Sequence, residues 1–188
     1  MKVNDFSKAQ GHWILAKMGK KVLRPGGKEM TRQLVSALQI TQTDDIVEFA
    51  PGLGYTASLA LQDHPHSYVG VDSDSDAIDQ LEKKIAGNNI RFINGNAANT
   101  TLEEGTKDKV FGEAMLTMHA DHRKLEIIRE AKRILKKGGL YAIHELGLND
   151  VNEDLKAQIQ KELALAIKVN AKPLTKGEWQ SLLENEGF

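Results

Sequence analysis

Short apolar runs alternate with amphipathic helical segments along most of this chain of 188 residues. Five runs have the composition of buried strands: DIVEFA, SYVGVD, IRFING, VFGEAMLTM and LYAIHEL. Segments with apolar residues at helical spacing, such as SDAIDQLEKKIAG, lie between them. This alternation predicts an α/β fold with a doubly wound, mostly parallel sheet that helices cover on both faces. Ligands of such sheets bind beyond the carboxyl ends of the strands.

The ends of several helices can also be predicted. The periodic segment DHRKLEIIREAKRILKK is expected to be one helix that the Gly-Gly pair at 138–139 terminates. Residues 152–171 are expected to form a long helix, which Pro173 ends. Thr175 and Glu178 have the spacing of a capping box, which predicts that a last helix begins there.

The length is that of one ordinary domain, and no repeat or linker divides residues 1–188. We expect N-terminal helices with a lid in residues 1–43, a ligand-binding core in 44–146 and C-terminal helices in 147–188. Eight basic and two acidic side chains give residues 1–32 a formal charge of +6, although the whole chain sums to −1. The basic segment either docks on the acidic body of the domain or attracts an anionic partner.

Composition excludes several classes of protein. The absence of cysteine excludes disulfides, thiolate metal sites and cysteine nucleophiles. No run approaches the roughly 20 apolar residues of a membrane span, and the N-terminal residues lack the apolar core of a signal peptide. We therefore expect a cytoplasmic protein without a membrane span.

A glycine-rich turn, Ala50-Pro51-Gly52-Leu53-Gly54, follows the first predicted strand. Asp72 closes the next strand, where a carboxylate can accept hydrogen bonds from both ribose hydroxyls of a nucleoside. Glycine tolerates positive φ and leaves the backbone open to a ligand. The combination predicts a nucleoside-binding site, although a tight turn and a helix-capping aspartate would have the same sequence.

Two classes of nucleoside-binding enzyme fit this turn. The window GLGYTA matches the Gly-x-Gly-x-x-Ala form of the dinucleotide fingerprint, so a nicotinamide-dependent oxidoreductase is one alternative. The segments DIVEFAPGLGYTASLAL, YVGVD, INGNAANTTL and AKRILKKGGLYAIHEL, in this order and spacing, resemble the motifs of class I S-adenosylmethionine-dependent methyltransferases. This resemblance runs from about Asp44 to Leu146 and implies a Rossmann-like methyltransferase fold.

The resemblance implies that residues at three strand ends hold S-adenosylmethionine. Asp72 would hold the ribose, Ser73 would lie beside the adenine, and Asn96 and Ala97 would meet the adenine edge. The methionine part would lie against one strand end and its turn: Glu48, Ala50, Gly52 and Gly54.

Three departures from the family pattern affect these expectations. Ala50 replaces a frequent glycine, which is tolerable if its backbone angles are ordinary. Asn96 replaces a frequent acid. The family adds two strands after a helix like the last one here, so the sheet is expected to be truncated before them.

Methyl transfer needs a base only when the acceptor must lose a proton. His119 and His144 follow the fourth and fifth predicted strands and are the candidate bases. Together with His122 and Glu145 they also resemble a metal set, although no helical ligand signature is present and no metal is predicted.

The expected function is methyl transfer from S-adenosylmethionine to a small-molecule acceptor by in-line displacement. The Asn-Pro-Pro-aromatic tetrapeptide of enzymes that methylate amino groups of nucleic acids is absent after the fourth strand, where LTMHADH stands. A nucleic-acid partner is therefore less favoured. A third alternative is a non-catalytic protein that binds S-adenosylmethionine or nucleic acid through its basic N-terminal segment.

Overall fold

A computed structural model describes residues 26–188, so residues 1–25 of the predicted lid lie outside the described part of the chain. Five parallel strands form the central sheet, in the order β3-β2-β1-β4-β5. Their bounds are β1 Asp45–Phe49, β2 Ser67–Asp72, β3 Ile90–Asn94, β4 Lys107–Glu113 and β5 Leu135–His144. The prediction of a doubly wound parallel sheet is confirmed.

Helices cover both faces of this sheet. Their bounds are α1 Gly27–Leu38, α2 Tyr55–Ala60, α3 Ser75–Lys84, α4 Asp121–Ile134, α5 Glu153–Ile167 and α6 Lys176–Asn185. Because successive strand residues point to opposite faces, β1 supplies Ile46 to one core and Val47 to the other. Apolar residues of α1, α2 and α3 pack in the first core, whereas those of α4 and α6 pack in the second.

The C-terminal part adds a second, smaller sheet that the sequence pattern did not predict. The two-residue strands β6 (Gly147–Leu148) and β7 (Leu174–Thr175) pair in parallel. The predicted capping box is confirmed, because the Thr175 hydroxyl accepts from the Glu178 N–H and the Glu178 carboxylate accepts from the Thr175 N–H. None of the helices in residues 26–188 combines the length and apolar character needed to cross a bilayer.

The predicted end of α4 at a Gly-Gly pair is wrong. α4 ends at Ile134, and β5 begins at once with the buried Leu135, which pairs with Lys107 of β4. Gly138, with φ of +82°, lies inside the extended segment, where the pairing with β4 is irregular. Pairing with β4 therefore outweighs the helical periodicity of this segment.

The fourth strand and the long C-terminal helix also differ from their predicted bounds. β4 ends at Glu113 because Ala114 has a φ of +50°, and a short 3-10 helix, Leu116–Met118, follows. α5 ends at Ile167, since Lys168 has a left-handed φ of +56°. The helix predicted over residues 152–171 is thus shorter at its C-terminal end.

The loop between β3 and β4 is held onto α4 by a buried carboxylate. Glu130 accepts from the N–H and hydroxyl of Thr100 at 2.8 and 2.5 Å, and the guanidinium of Arg133 donates to both of its oxygens at 2.8 Å. The hydrogen bonds from Arg133 lower the pKa of Glu130 to about 2. Thr100 is buried, so this contact fixes the loop that follows the third strand.

Candidate active site

Asp72 lies at the carboxyl end of β2, and its carboxylate joins that end to the glycine turn. Oδ2 accepts from the Gly52 N–H at 3.1 Å, and Oδ1 accepts from the Asp74 N–H at 3.0 Å. The residue is 8% exposed. Because each carboxylate oxygen has two lone pairs, both oxygens can accept a further hydrogen bond.

The turn after β1 holds an alanine in a conformation that favours glycine. Ala50 has a φ of +54°, so the condition under which an alanine would be tolerable here, ordinary backbone angles, is not met. Its N–H donates to Val71 O of β2 at 2.8 Å, which fixes the turn across the sheet edge. The left-handed conformation of an alanine costs about 1–2 kcal/mol of conformational energy, and backbone strain of this kind concentrates at functional sites.

The two glycines of the turn serve different purposes. A Cβ added to Gly52 would meet only Ala50 O within 4 Å, at 4.0 Å, so the backbone there is open to approach. A Cβ added to Gly54 would lie 2.4 Å from Cδ2 of Leu81 and 3.1 Å from Cδ1 of Ile85. Gly54 is therefore required by the packing of the start of α2 against α3. An added Cβ thus meets open space at Gly52 and crowding at Gly54, and the approach of a ligand to either glycine stays a prediction.

Glu48, the acid that precedes the turn, is buried within β1. Its Oε2 accepts from the Tyr68 hydroxyl of β2 at 2.6 Å. Burial, followed by the neighbouring charge of Glu48, raises the pKa of Tyr68 well above its usual value, so the phenol stays protonated. The carboxylate is thus held in place from the neighbouring strand.

The residues predicted to surround an adenine follow β2 and β3. Ser73 and Asn96 are exposed, and Ala97 is half-buried. Oδ1 of Asn96 accepts from the Ala98 N–H at 2.9 Å, and the Gly95 N–H donates to Asp72 O at 2.8 Å. The bond from Gly95 joins the end of β3 to the end of β2, and the contact with adenine stays a prediction.

The side chains of Thr56, Glu113 and His144 meet at the ends of β4 and β5. The sequence had identified only His144. The Thr56 hydroxyl donates to Oε2 of Glu113 at 2.6 Å, and Nδ1 of His144 lies 2.8 Å from Oε1 of the same carboxylate. Thr56 precedes Glu113 by 57 residues. In the sequence Glu113 lies inside the predicted strand VFGEAMLTM, and nothing in that pattern indicates its contacts with Thr56 and His144.

Glu145 follows β5 directly and has a different set of partners. It accepts from the N–H groups of Met115, Leu116 and Thr117 at 2.8 to 3.0 Å and from the Thr117 hydroxyl at 2.7 Å. Burial raises the pKa of its carboxyl in spite of these bonds. The carboxylate therefore fixes the start of the 3-10 helix.

His119 ends that 3-10 helix and His122 lies in the first turn of α4. Burial, with smaller contributions from Arg123 and Lys124, lowers the pKa of His119. Among residues 26–188, no three His, Asp or Glu side chains are arranged to hold a metal ion. The bonds of Glu145 and of His144 are instead made to protein partners.

Comparison with known proteins identifies the family to which this arrangement belongs. Residues 46–139 match the family described as "Methyltransferase domain". The chain belongs to the methyltransferase domain family. This match includes the glycine turn and Asp72, and it decides against the oxidoreductase that the Gly-x-Gly-x-x-Ala window had left open.

Two curated relatives show how far the similarity extends. An uncharacterized protein of Haemophilus influenzae is 36% identical over 183 residues, which are 95% of this chain and 71% of that protein. Ribosomal RNA small subunit methyltransferase A of Hydrogenobaculum sp. is 27% identical over 109 residues, which are 58% of this chain and 42% of that protein. The chain thus spans less than half of the ribosomal RNA enzyme.

Solved structures show the same fold at low sequence identity. An inferred methyltransferase from Bacillus halodurans has a TM-score of 0.76 at 17% identity, covering 84% of this chain and 68% of that one. Geranyl diphosphate methyltransferase in complex with S-adenosylmethionine has a TM-score of 0.68 at 17% identity, and the match covers 84% of this chain and 63% of that one. The [4+2]-cyclase SpnF has a TM-score of 0.69 at 14% identity, covering 84% and 55%.

Proposed function

We propose that this protein transfers the methyl group of S-adenosylmethionine to a small-molecule acceptor. The observation that carries the proposal is the carboxylate of Asp72, which is bonded to Gly52 across the glycine turn of a methyltransferase domain and keeps lone pairs for two hydroxyls. S-adenosylmethionine supplies an electrophilic methyl group on a sulfonium. The task of the protein is then to bind, orient and exclude water.

The described residues fit this cofactor by their chemistry. Asp72 accepts from the ribose hydroxyls, and the open backbone at Gly52 admits the methionine part beside Glu48, Ala50 and Gly54. At the ends of β2 and β3, Ser73, Asn96 and Ala97 flank the adenine. Asn96 replaces an acid with a neutral amide, so its recognition of adenine relies on hydrogen bonding alone.

Two observations support a small acceptor. A solved relative by fold, geranyl diphosphate methyltransferase, is named for a small-molecule substrate. The segment LTMHADH after β4 also lacks the Asn-Pro-Pro-aromatic tetrapeptide. Ribosomal RNA is the second candidate acceptor, because a curated relative is a ribosomal RNA methyltransferase and residues 1–32 are basic.

The reaction itself needs a test, since the fold also occurs in the cyclase SpnF. The protein is incubated with methyl-tritiated S-adenosylmethionine and, separately, with a cell extract filtered below about 1 kDa or with purified 16S ribosomal RNA. We expect label in the small-molecule fraction, and loss of at least 90% of it with Asp72→Ala. Asp79→Ala, an exposed change on α3, is the control and keeps the activity.

Each other outcome has a defined meaning. Label in the RNA alone would replace the small molecule by ribosomal RNA as the acceptor. Binding of S-adenosylmethionine without label in either fraction would contradict methyl transfer to these acceptor classes and favour the non-catalytic alternative.

A further inference from the structure

A continuous hydrogen-bonded series joins the glycine turn to the end of β5. Thr56, in the first turn of α2, donates to Glu113 at the end of β4, and Glu113 in turn contacts Nδ1 of His144 at the end of β5. Side-chain exposure is 3% for Glu113 and 12% for His144. The series therefore lies within the carboxyl edge of the sheet, where ligands of this fold bind.

The contact with Glu113 determines which nitrogen of the imidazole is free. A carboxylate accepts, so the proton of the neutral ring lies on Nδ1 and the lone pair lies on Nε2. No residue of the described range 26–188 is hydrogen-bonded to Nε2. A Cβ built on Gly26 would lie 3.5 Å from Nε2, so this nitrogen faces the chain just before α1.

The other candidate base lacks these features. His119 has no hydrogen bond from its ring to a carboxylate within residues 26–188, and its pKa is lowered by burial and by the cations Arg123 and Lys124. An imidazolium there would form beside two positive charges. The ring of His144 instead contacts the carboxylate of Glu113 at 2.8 Å, which orients it.

We propose that His144 accepts the proton of the methyl acceptor at Nε2 and that Glu113, a positioning residue, holds the ring in the required tautomer. This inference rests on the proposed function. The acceptor oxygen or nitrogen forms a bond to the methyl carbon while the carbon–sulfur bond breaks and its electron pair stays on sulfur. The proton of the acceptor passes to Nε2, and the resulting imidazolium later releases it to water.

The acceptor class follows from this arrangement. A base is required when a hydroxyl or an amine loses its proton during methylation, and a thioether or a tertiary amine has no proton to lose. We therefore infer an acceptor that carries a proton on the atom to be methylated, such as a hydroxyl or an amine. Thr56 completes the arrangement, because its hydroxyl occupies the second oxygen of Glu113 and anchors it to the helix that follows the glycine turn.

The tautomer can be measured directly on the ¹⁵N-histidine-labelled protein. Long-range ¹H–¹⁵N spectra between pH 6 and 9 report which ring nitrogen carries the proton, and His144→Asn assigns the signals. We expect the neutral ring to carry its proton on Nδ1. In Glu113→Gln the amide N–H₂ can donate to Nδ1, so the form protonated on Nε2 becomes the major one. Glu82→Gln, an exposed change on α3, leaves the spectrum unaltered.

Catalysis provides an independent measurement. In the labelling assay, His144→Asn is expected to lower methyl transfer about 10²–10⁴-fold while the Kd for S-adenosylmethionine changes less than threefold. Glu113→Asp, which keeps a carboxylate, is expected to retain more activity than Glu113→Gln. A wild-type ring protonated on Nε2, or full activity of His144→Asn, would overturn the inference. Failure of the wild-type protein to bind S-adenosylmethionine would instead overturn the proposed function.

Discussion

Glu113 and Glu145 are buried glutamates at neighbouring strand ends, yet their partners differ in kind. Glu113 is bonded to the side chains of Thr56 and His144, one of which can gain and lose a proton. Glu145 is bonded to three consecutive backbone N–H groups and to one hydroxyl. The comparison teaches that burial of a carboxylate at the ligand edge does not identify its role, whereas the chemistry of its partners does.

The two glutamates also lie on opposite faces of the sheet. His144 and Glu113 lie on the face that α1, α2 and α3 cover, as does Ala142 of β5, which packs in that core. Glu145 and the 3-10 helix lie towards α4, together with Met115 and Leu116 of the second core. One face thus carries the candidate proton acceptor, and the other carries the contacts that fix the backbone.

The largest expected effect is a loss of stability on substitution of Glu145, the glutamate that holds the backbone. Glu145→Ala leaves three backbone N–H groups and one hydroxyl without their acceptor, at about 1 kcal/mol each. We expect the free energy of unfolding, measured by urea denaturation, to fall by about 3–4 kcal/mol. Glu145→Gln keeps one acceptor oxygen and is expected to lose about half as much.

The His144 spectrum provides the control for this prediction. If Glu145 has an architectural role alone, folded Glu145→Gln keeps the His144 tautomer of the wild type. A loss below about 1 kcal/mol in Glu145→Ala, or a change of the His144 tautomer in Glu145→Gln, would remove the distinction between the two glutamates.

A smaller effect on stability is expected in the glycine turn, where one glycine is needed for packing and the other leaves the backbone open. Gly54→Ala places a Cβ 2.4 Å from Leu81 and keeps a φ of +76°, so we expect a loss of about 2–4 kcal/mol in the free energy of unfolding. Gly52→Ala meets open space at a φ of +52° and is expected to cost about 1 kcal/mol. Equal losses in thermal or urea denaturation would contradict this assignment.

Ligand binding separates the two glycines in the opposite order. Gly52→Ala places a methyl group where the backbone is open and should weaken binding of S-adenosylmethionine more than Gly54→Ala does in its folded fraction. Stronger weakening by Gly54→Ala would place the ligand approach at Gly54.

Much of the fold could be predicted because its determinants are local. Strand composition, helical periodicity and the capping box at Thr175 predict the element order, and the position of Asp72 at a strand end follows from that order. The end of α4 could not be predicted, because Leu135 belongs to β5 and pairs with Lys107. This contact joins residues that are distant in sequence. Tertiary pairing outweighs periodicity there.

Candidate site residues that lie at the end of a single strand could be identified from the sequence. Residues that join the site through contacts between several elements could not. Gly52 and Asp72 were identified by motif and spacing, and a hydrogen bond joins them in the structure. Glu113 and Thr56 were missed because a glutamate in an apolar strand and a threonine in a helix carry no signal until the sheet brings them together. The left-handed Ala50 was missed because alanine seldom adopts that conformation.

Calorimetric titration of the purified protein with S-adenosylmethionine and with a nicotinamide dinucleotide tests the central claim most directly. We predict that S-adenosylmethionine alone binds, and that Asp72→Ala weakens it about 100-fold because two charge-assisted hydrogen bonds are lost. Asp79→Ala, an exposed change on α3, should bind as the wild type does. Binding of the dinucleotide instead, or wild-type affinity of Asp72→Ala for S-adenosylmethionine, would contradict the account.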